Sequence, residues 1–389
     1  MSDDINRNAI SDNGLSVLVV DDVRFYRTMI RDLLATIPGI RVVGTASDGS
    51  EALEQIRKLQ PDLVTLDIEM PKLNGLQTLQ ELKTRAKENH WVPEILMVSS
   101  LTHAGAKETL EALYLGAFDF ICKPAMDGPG TGTELLDSLL REKIAAFREK
   151  FLSKTHGSNS RANIASDLST NLEARSPELI NTQKHRCDLV IIGGSTGGPR
   201  AVRHIATRLD SSLRVPILMV QHMPAQFTST MAARLNDEVA IRVCELHDGQ
   251  QTLDPACLYI APGGRHAEIV GTSASWRVNV VEGPRHHGCC PSVDVTLESA
   301  ARIMGGSVLT VIITGMGRDG LEGCRQLVQL GGHVFAQDET TSDVFGMPKA
   351  VIEAGLVDRV LPLGKIAPAI HRHVHRFGPP QPIRSEAIS

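Results

Sequence analysis

No stretch of this 389-residue chain is apolar for long enough to cross a membrane. Its longest apolar runs, such as VLTVIIT from Val308 to Thr314, fall far short of the ~20 residues a transmembrane helix needs. The opening segment, MSDDINRNAISDNGLS, lacks the basic and apolar regions of a signal peptide. Cysteine is scarce: seven residues, an odd number, with no CxxC pair. Cys289 and Cys290 are adjacent, so they are poorly placed to bridge each other or to share a tetrahedral zinc. Reduced thiols in a cytoplasmic protein are therefore expected. Basic excess is also missing. A formal charge of −5 gives no reason to expect nucleic acid or an acidic lipid surface as a main partner. The glycine-rich GGSTGG around Ser195 lacks the Gly-Lys-Ser/Thr of a Walker loop, is not a full G-x-G-x-x-G, and does not match G-x-S-x-G.

What is present is the composition of a soluble globular protein, 42% hydrophobic and 22% charged, long enough for two domains. From Val17 to about Ala146, strand-like runs alternate with amphipathic segments such as EALEQIRKL. The runs are VLVV (17–20), VVGTA (42–46), LVTLD (63–67), EILMVS (94–99) and FDFIC (118–122). Five strands alternating with helices predict a parallel α/β sheet over 15–140. The next segment, 141–184, opens with REKIAAFREKFL, which extends a helix, and continues as a polar, flexible linker. Strands resume at DLVIIGG (188–194), PILMVQ (216–221), CLYIAP (257–262) and VLTVIIT (308–314), with RVNVVEG and HVFAQD as further candidates. They predict a second, doubly wound α/β domain over 185–376 with some antiparallel strands, and 377–389 as a disordered tail.

Two constellations carry chemistry. In the first domain, Asp21 and Asp22 end the first strand and Asp67 ends the third, which places them on one rim of a parallel sheet. Three carboxylates there repel one another unless a hard cation lies between them. Mg²⁺ fits, held by Asp22 and Asp67 beside Asp21, with the Glu69 carbonyl and waters. Lys123, after the fifth strand, supplies a counter-charge for a phosphate, and Ser99, ending the fourth, can hydrogen-bond a phosphoryl oxygen. A cis Lys123–Pro124 bond would aim the lysine.

In the second domain Ser195, His222 and Asp319 each follow an apolar run. A hydroxyl is a weak nucleophile. It needs an imidazole to take its proton and a carboxylate to fix that imidazole, whatever their order in the chain. Two other readings stand beside a hydrolase: a phosphate-binding loop at GGSTGG in a nucleotide-dependent enzyme, and a hydrolase-like domain that only binds partners. His286, His287, Cys289 and Cys290 read as a loop entering a helix at Pro291–Ser292. His266 and Arg265 read as a cleft wall or a solvated loop, and Cys187, Cys244, Cys257 and Cys324 as packing residues.

VLVVDD, LDIEMPKLNG, MVSS and ICKP stand in the order and spacing of a bacterial response-regulator receiver domain, which the first domain resembles. The resemblance implies that Asp67 accepts a phosphoryl group from a chemotaxis histidine kinase and that Phe120 is the mobile aromatic of the switch. Val23 departs from the Ser that many such receivers carry. GGSTGGP, QHMP, APGGRH, CPSVDVTLESAA, TGMGRDG and QDETTSDVFGMPKA resemble, in the same order, the catalytic domain of the CheB family of chemotaxis protein-glutamate methylesterases. That implies Ser195 as nucleophile, His222 as general base and acid, Asp319 as its orienting carboxylate, and Thr196 and Met316 beside the site. It further implies an oxyanion pocket shaped by the Met316 loop and backbone N–H groups near Ser195. The implied reactions are hydrolysis of glutamate methyl esters and deamidation of glutamines on methyl-accepting chemotaxis receptors, with no metal in the hydrolase. Gly194 stands where the family often has Ala.

Overall fold

The computed structural model describes residues 14–88, 91–100, 102–124, 131–156 and 186–379. The expected flexible linker lies outside them except for its first four residues, 153–156, which continue the preceding helix, and most of the expected tail also lies outside. Two compact units divide the chain, Met1–Gln183 and Lys184–Ser389.

In the first unit, strands β1 (Leu15–Val20), β2 (Ile40–Ala46), β3 (Leu63–Asp67), β4 (Glu94–Ser99) and β5 (Asp119–Cys122) alternate with helices. These are α1 (Arg24–Ala35), α2 (Gly49–Leu59), α3 (Gly75–Lys87), α4 (His103–Leu115) and α5 (Thr131–His156). The sheet order is β2-β1-β3-β4-β5, every pair parallel. Continuous apolar runs suit strands covered by helices on both faces, and Val17, Leu18, Val19, Leu63, Val64 and Leu66 are all fully buried. Helix starts follow local chemistry. Asp48 accepts from Glu51 N to cap α2, and Asn74 and Gln77 form a reciprocal capping box at α3. REKIAAFREKFL lies within α5, as its pattern predicts, and Phe147 of that helix packs edge-on against Phe118 at 6.0 Å.

The second unit is built on a seven-stranded parallel sheet of order β15-β14-β13-β6-β7-β10-β8. Its strands are β6 (Leu189–Gly194), β7 (Ile217–Gln221), β8 (Arg242–Glu245), β10 (Cys257–Ile260), β13 (Val308–Ile312), β14 (His333–Gln337) and β15 (Arg359–Leu361). An antiparallel sheet, β11-β12-β9, is formed by β9 (Gly249–Gln251), β11 (His266–Thr272) and β12 (Ser275–Val281). Six helices complete the unit: α6 (Gly198–Ala206), α7 (Ala225–Glu238), α8 (Val293–Met304), α9 (Leu321–Gln329), α10 (Met347–Glu353) and α11 (Leu363–Phe377). The chain runs from β6 through β7 to the edge strand β8, inserts β10 between β7 and β8, then returns to add β13, β14 and β15 on the other side. That reversal puts the topological switch point of the sheet at β6 and β13, the place where open α/β sheets bind ligands. Strands β8, β9, β11 and β15 had no sequence expectation. β8, β9 and β15 are only three or four residues long, as GQQ and RVL illustrate, whereas β11 is a seven-residue strand that the sequence reading missed.

The cis X–Pro bond among the described residues is Cys290–Pro291, not Lys123–Pro124. The lysine needs no such device, because its backbone N–H is held by Ser99 O at 2.7 Å. No helix of the described residues is long and apolar enough to cross a membrane.

Candidate active site

Ser195 follows β6 and His222 follows β7. The two strands pair with Gly194 opposite Gln221, so the serine and histidine leave the sheet as neighbours. Asp319 arrives from the other side of β6, in the turn between β13 and α9. All three lie on the rim at the switch point. His222 Nε2 is 2.7 Å from Asp319 Oδ2. The ring's other nitrogen, Nδ1, faces Cys289 Sγ at 3.6 Å rather than the Ser195 hydroxyl.

Asp319 sits at the N-terminus of α8, where free amide N–H groups and the helix dipole favour an anion. Val293 N donates to its Oδ2 at 2.7 Å, and Asp294 N and Ser292 Oγ donate to its Oδ1 at 2.9 and 2.8 Å. Burial opposes the charge, but the bond from His222, the charge of that ring and these backbone amides outweigh it and hold the carboxyl down at about 2. Burial likewise favours a neutral His222, yet its bonds to Asp319 and Cys289 prevail and raise it to about 9. The ring keeps 14% of its side-chain surface exposed, so its desolvation is incomplete and the carboxylate's pull wins. Asp294, one layer further in, is raised to about 6 by burial and by its proximity to Asp319, against the Gly323 amide.

The GGSTGG turn is shaped by contacts on every side. Gly197 adopts φ +78°, and a Cβ there would lie 2.4 Å from Asp343 Oδ2. Asp343 in turn pairs with Arg200. Gln221 Nε2 donates to Ser195 O at 2.9 Å, and Thr314 Oγ1 donates to Thr196 O at 2.9 Å. Ser195 and Thr196 are buried, and Met316 is half-buried on the β13–α9 turn. The Ser195 N–H donates to Thr314 O at 3.1 Å. It is therefore spent within the fold and not free to serve as an oxyanion donor.

Gln221, Ser292, Asp294, Thr314 and Asp343 had no assigned role in the sequence. Ser292, Asp294 and Asp343 nevertheless lie inside the CPSVDVTLESAA and QDETTSDVFGMPKA motifs. His266 does not lie on a solvated loop: it is buried on β11, with Nε2 on Pro284 O and Nδ1 accepting from Ser292 N. Arg265 pairs with Asp248 and Glu282. The loop before α8 is a tight hairpin in which His286 and Cys289 exchange backbone hydrogen bonds, and it enters the helix at the expected place, where Ser292 caps α8. Within it, His286, His287 and Asp294 each offer a donor atom within 4.8 Å of the others.

The acidic rim of the first unit assembles as the sequence predicts. Asp21, Asp22 and Asp67 each offer a carboxylate oxygen within 4.8 Å of the others. Lys123 Nζ lies 2.6 Å from Asp67 Oδ2 and 2.9 Å from Asp21 Oδ2; the first contact is a hydrogen bond, while the second has only ion-pair geometry. Burial, partly offset by Lys123, raises Asp67 to about 6 and also raises Asp21. One ammonium thus leaves two buried carboxylates under-compensated, and an all-oxygen donor set short of positive charge fits Mg²⁺. Asp22 and Glu69 are exposed at the same rim. Ser99 Oγ is engaged on its own loop and α4: it accepts from Thr109 Oγ1 at 2.8 Å and donates to Ser100 O at 3.2 Å and Gly105 O at 3.3 Å. Phe120 is buried on β5.

Comparison with known proteins accords with this architecture. The family model described as CheB methylesterase matches residues 190–370, and that described as response regulator receiver domain matches 17–129. Relatives named protein-glutamate methylesterase/protein-glutamine glutaminase include one from Desulfotalea psychrophila, 39% identical over 92% of this chain and 98% of its own. Another, from Geobacillus kaustophilus, is 41% identical over 92% of this chain and 97% of its own. Among solved structures, the CheB methylesterase catalytic domain of Thermotoga maritima is 39% identical, covering 48% of this chain and 98% of its own, with TM-score 0.46. The response regulator domain of the same organism's CheB is 41% identical, covering 35% of this chain and 97% of its own, with TM-score 0.31. With its receiver domain, its switch-point Ser, His and Asp, and full-length relatives at this identity, the chain belongs to the CheB family of receiver-linked protein-glutamate methylesterases.

Proposed function

We propose that Ser195, His222 and Asp319 are the catalytic residues of a protein-glutamate methylesterase and protein-glutamine deamidase acting on methyl-accepting chemotaxis receptors. The observation that supports this most is the 2.7 Å His222–Asp319 pair on the rim that Ser195 shares. With Nε2 committed to Asp319, Nδ1 is the nitrogen that takes the Ser195 proton. Ser195 Oγ attacks the ester carbonyl, and the tetrahedral oxyanion is met by rim amides and the Met316 turn, with Thr196 beside it. His222 returns the proton to the departing methanol, or to ammonia when the substrate is a glutamine. Water then attacks the acyl-enzyme by the same relay and releases glutamate. The imidazole has to turn from Cys289 toward Ser195 for the first transfer, and Asp319 is the pivot that remains fixed.

Asp67 is the phosphoacceptor for a chemotaxis histidine kinase in this reading. Asp22, Asp67 and the Glu69 carbonyl, beside Asp21, would hold Mg²⁺, whose charge would offset that of the phosphoryl group. Lys123 leaves its two carboxylates to pair with the phosphoryl oxygens. Ser99 turns from Gly105 and Thr109 toward them, and Phe120 follows as the switch aromatic.

The test is methanol release from methylated receptor membranes. Wild-type protein should release it, and Ser195→Ala should reduce the rate by about a thousandfold or more with an unchanged circular dichroism spectrum. Activity within about tenfold of wild type would exclude Ser195 as nucleophile. A protein that binds receptor membranes without releasing methanol would be a docking module.

A further inference from the structure

At the edge of the second unit's large sheet, far from the catalytic rim, β8 and β10 bring two cysteines together. Cys257 lies opposite Arg242, and Tyr259 opposite Cys244, in parallel register. Residues two apart on a strand share a face, so these four side chains form one patch. Cys244 Sγ and Cys257 Sγ are 3.7 Å apart, van der Waals contact for two sulfurs. Arg242 ties the patch together: Nε donates to Cys257 Sγ at 3.4 Å, and Nη2 donates to Tyr259 Oη at 3.2 Å and to Asp254 Oδ2 at 2.6 Å. The patch opens into a cleft of about 600 Å³ lined by Arg242, Cys244, His247, Asp254 and Tyr259 and by none of the catalytic residues. Cys244 faces this cleft, and Cys257 is 1% exposed behind it. As sequence, both cysteines read as packing residues. Only the strand register places their sulfurs in contact beside a guanidinium.

We propose that Cys244 and Cys257 form a redox-active dithiol that reduces a small hydroperoxide entering this cleft and closes to an intramolecular disulfide. The hydrogen bond from Cys244 draws the Cys257 thiol down to about 6, against burial and with help from Arg242, while Cys244 is pushed up. The reacting form is the pair that shares one proton between its sulfurs, and Cys244 is the sulfur that the cleft reaches. Cys244 passes that proton to Cys257 as its sulfur attacks a peroxide oxygen. The O–O bond breaks, and the leaving hydroxide or alkoxide takes the proton from Cys257 and departs as water or alcohol, leaving a sulfenic acid on Cys244. Cys257 thiolate then attacks the Cys244 sulfur and expels hydroxide, which solvent protonates. The two sulfurs give up two electrons, and the peroxide takes them.

Bond formation requires the sulfurs to close from 3.7 Å to about 2.05 Å. β8 can make that movement, because it is a four-residue edge strand whose one neighbour in the sheet is β10. A metal ion between the sulfurs is disfavoured, since the Arg242 guanidinium already contacts Cys257.

The experiment treats reduced full-length protein with near-stoichiometric hydrogen peroxide and maps its thiols by mass spectrometry without reduction. A Cys244–Cys257 cross-linked peptide should form about tenfold faster than oxidation of any other cysteine. In Cys257→Ser or Cys257→Ala, Cys244 should be trapped by dimedone as a sulfenic acid, formed more slowly because its proton acceptor is gone, and Cys244→Ser should lose the fast reaction. The proposal is overturned if no such cross-link forms, if Cys289 beside His222 is oxidised first, or if Cys244→Ser is oxidised at Cys257 as fast as wild type.

Discussion

At the residue scale, the site turns on one imidazole held between a carboxylate and a thiol. In the proposed relay the His222 ring must be neutral to accept a proton, yet against burial its bonds to Asp319 and Cys289 raise it to about 9. kcat/KM should therefore rise with pH along a limb displaced above the ordinary histidine value of about 6.5. Asp319→Asn should shift that limb back toward about 6.5 and lower the plateau by roughly two to four orders of magnitude, because the ring loses its fixed tautomer. A pH–rate series on both proteins checks this; an unshifted limb at full rate would remove Asp319 from the relay. The same pair affects stability. His222, raised on folding, stabilises fully below about 6.5 and loses that contribution as pH rises through about 9. Asp319, lowered on folding, stabilises above about 3.9 and loses its contribution as pH falls through about 2. Asp319→Asn should thus lower Tm more at pH 6 than at pH 10, as calorimetry can measure.

At the element scale, the turn after β6 and the start of α8 position the chemistry. Gly197 carries φ +78° with Asp343 against it. Gly197→Ala should cost about 1–2 kcal/mol from the left-handed backbone alone, more if Asp343 cannot withdraw, read as a lowered urea midpoint. Ser292 accepts from Val295 N to cap α8 and donates to Asp319 Oδ1. Ser292→Ala should destabilise by about 1–2 kcal/mol and also slow turnover, since Asp319 loses one of its anchors. A stability loss with unchanged kcat would show that the other donors suffice to hold the carboxylate. These elements were only partly legible in sequence. Long apolar strands such as LVIIGG and VLTVI announced themselves because burial on both faces demands apolar side chains throughout. Edge strands such as GQQ did not, because a strand with little to bury needs no apolar pattern.

At the scale of the whole molecule, a phosphorylatable switch and a hydrolase share one chain. A small-molecule phosphodonor with Mg²⁺ should raise the methanol-release rate of the full-length protein several-fold, and Asp67→Ala should abolish that response while retaining basal turnover. Chelation with EDTA should likewise remove the phosphodonor response and spare the basal rate. Loss of basal activity on chelation would instead implicate a metal in the hydrolase, where His286, His287 and Asp294 are the donors to examine.

The sequence by itself determined the two α/β sheets and the acidic rim and marked Ser195, His222 and Asp319 as candidates, because each is written in local terms: an apolar run, then a polar group at its end. It could not determine which partners those groups would meet. The parallel order β13-β6-β7 brings Asp319 to His222 across 97 positions of chain, and the start of α8 supplies the donors that hold it. Packing turned Ser99 toward Thr109, consumed the Ser195 N–H on Thr314, and set Cys289 against the imidazole. Register alone put Cys244 beside Cys257. A hydrogen bond or a sulfur contact extends only a few ångströms, and which groups come that close is fixed by the sheet's connections rather than by neighbours along the chain.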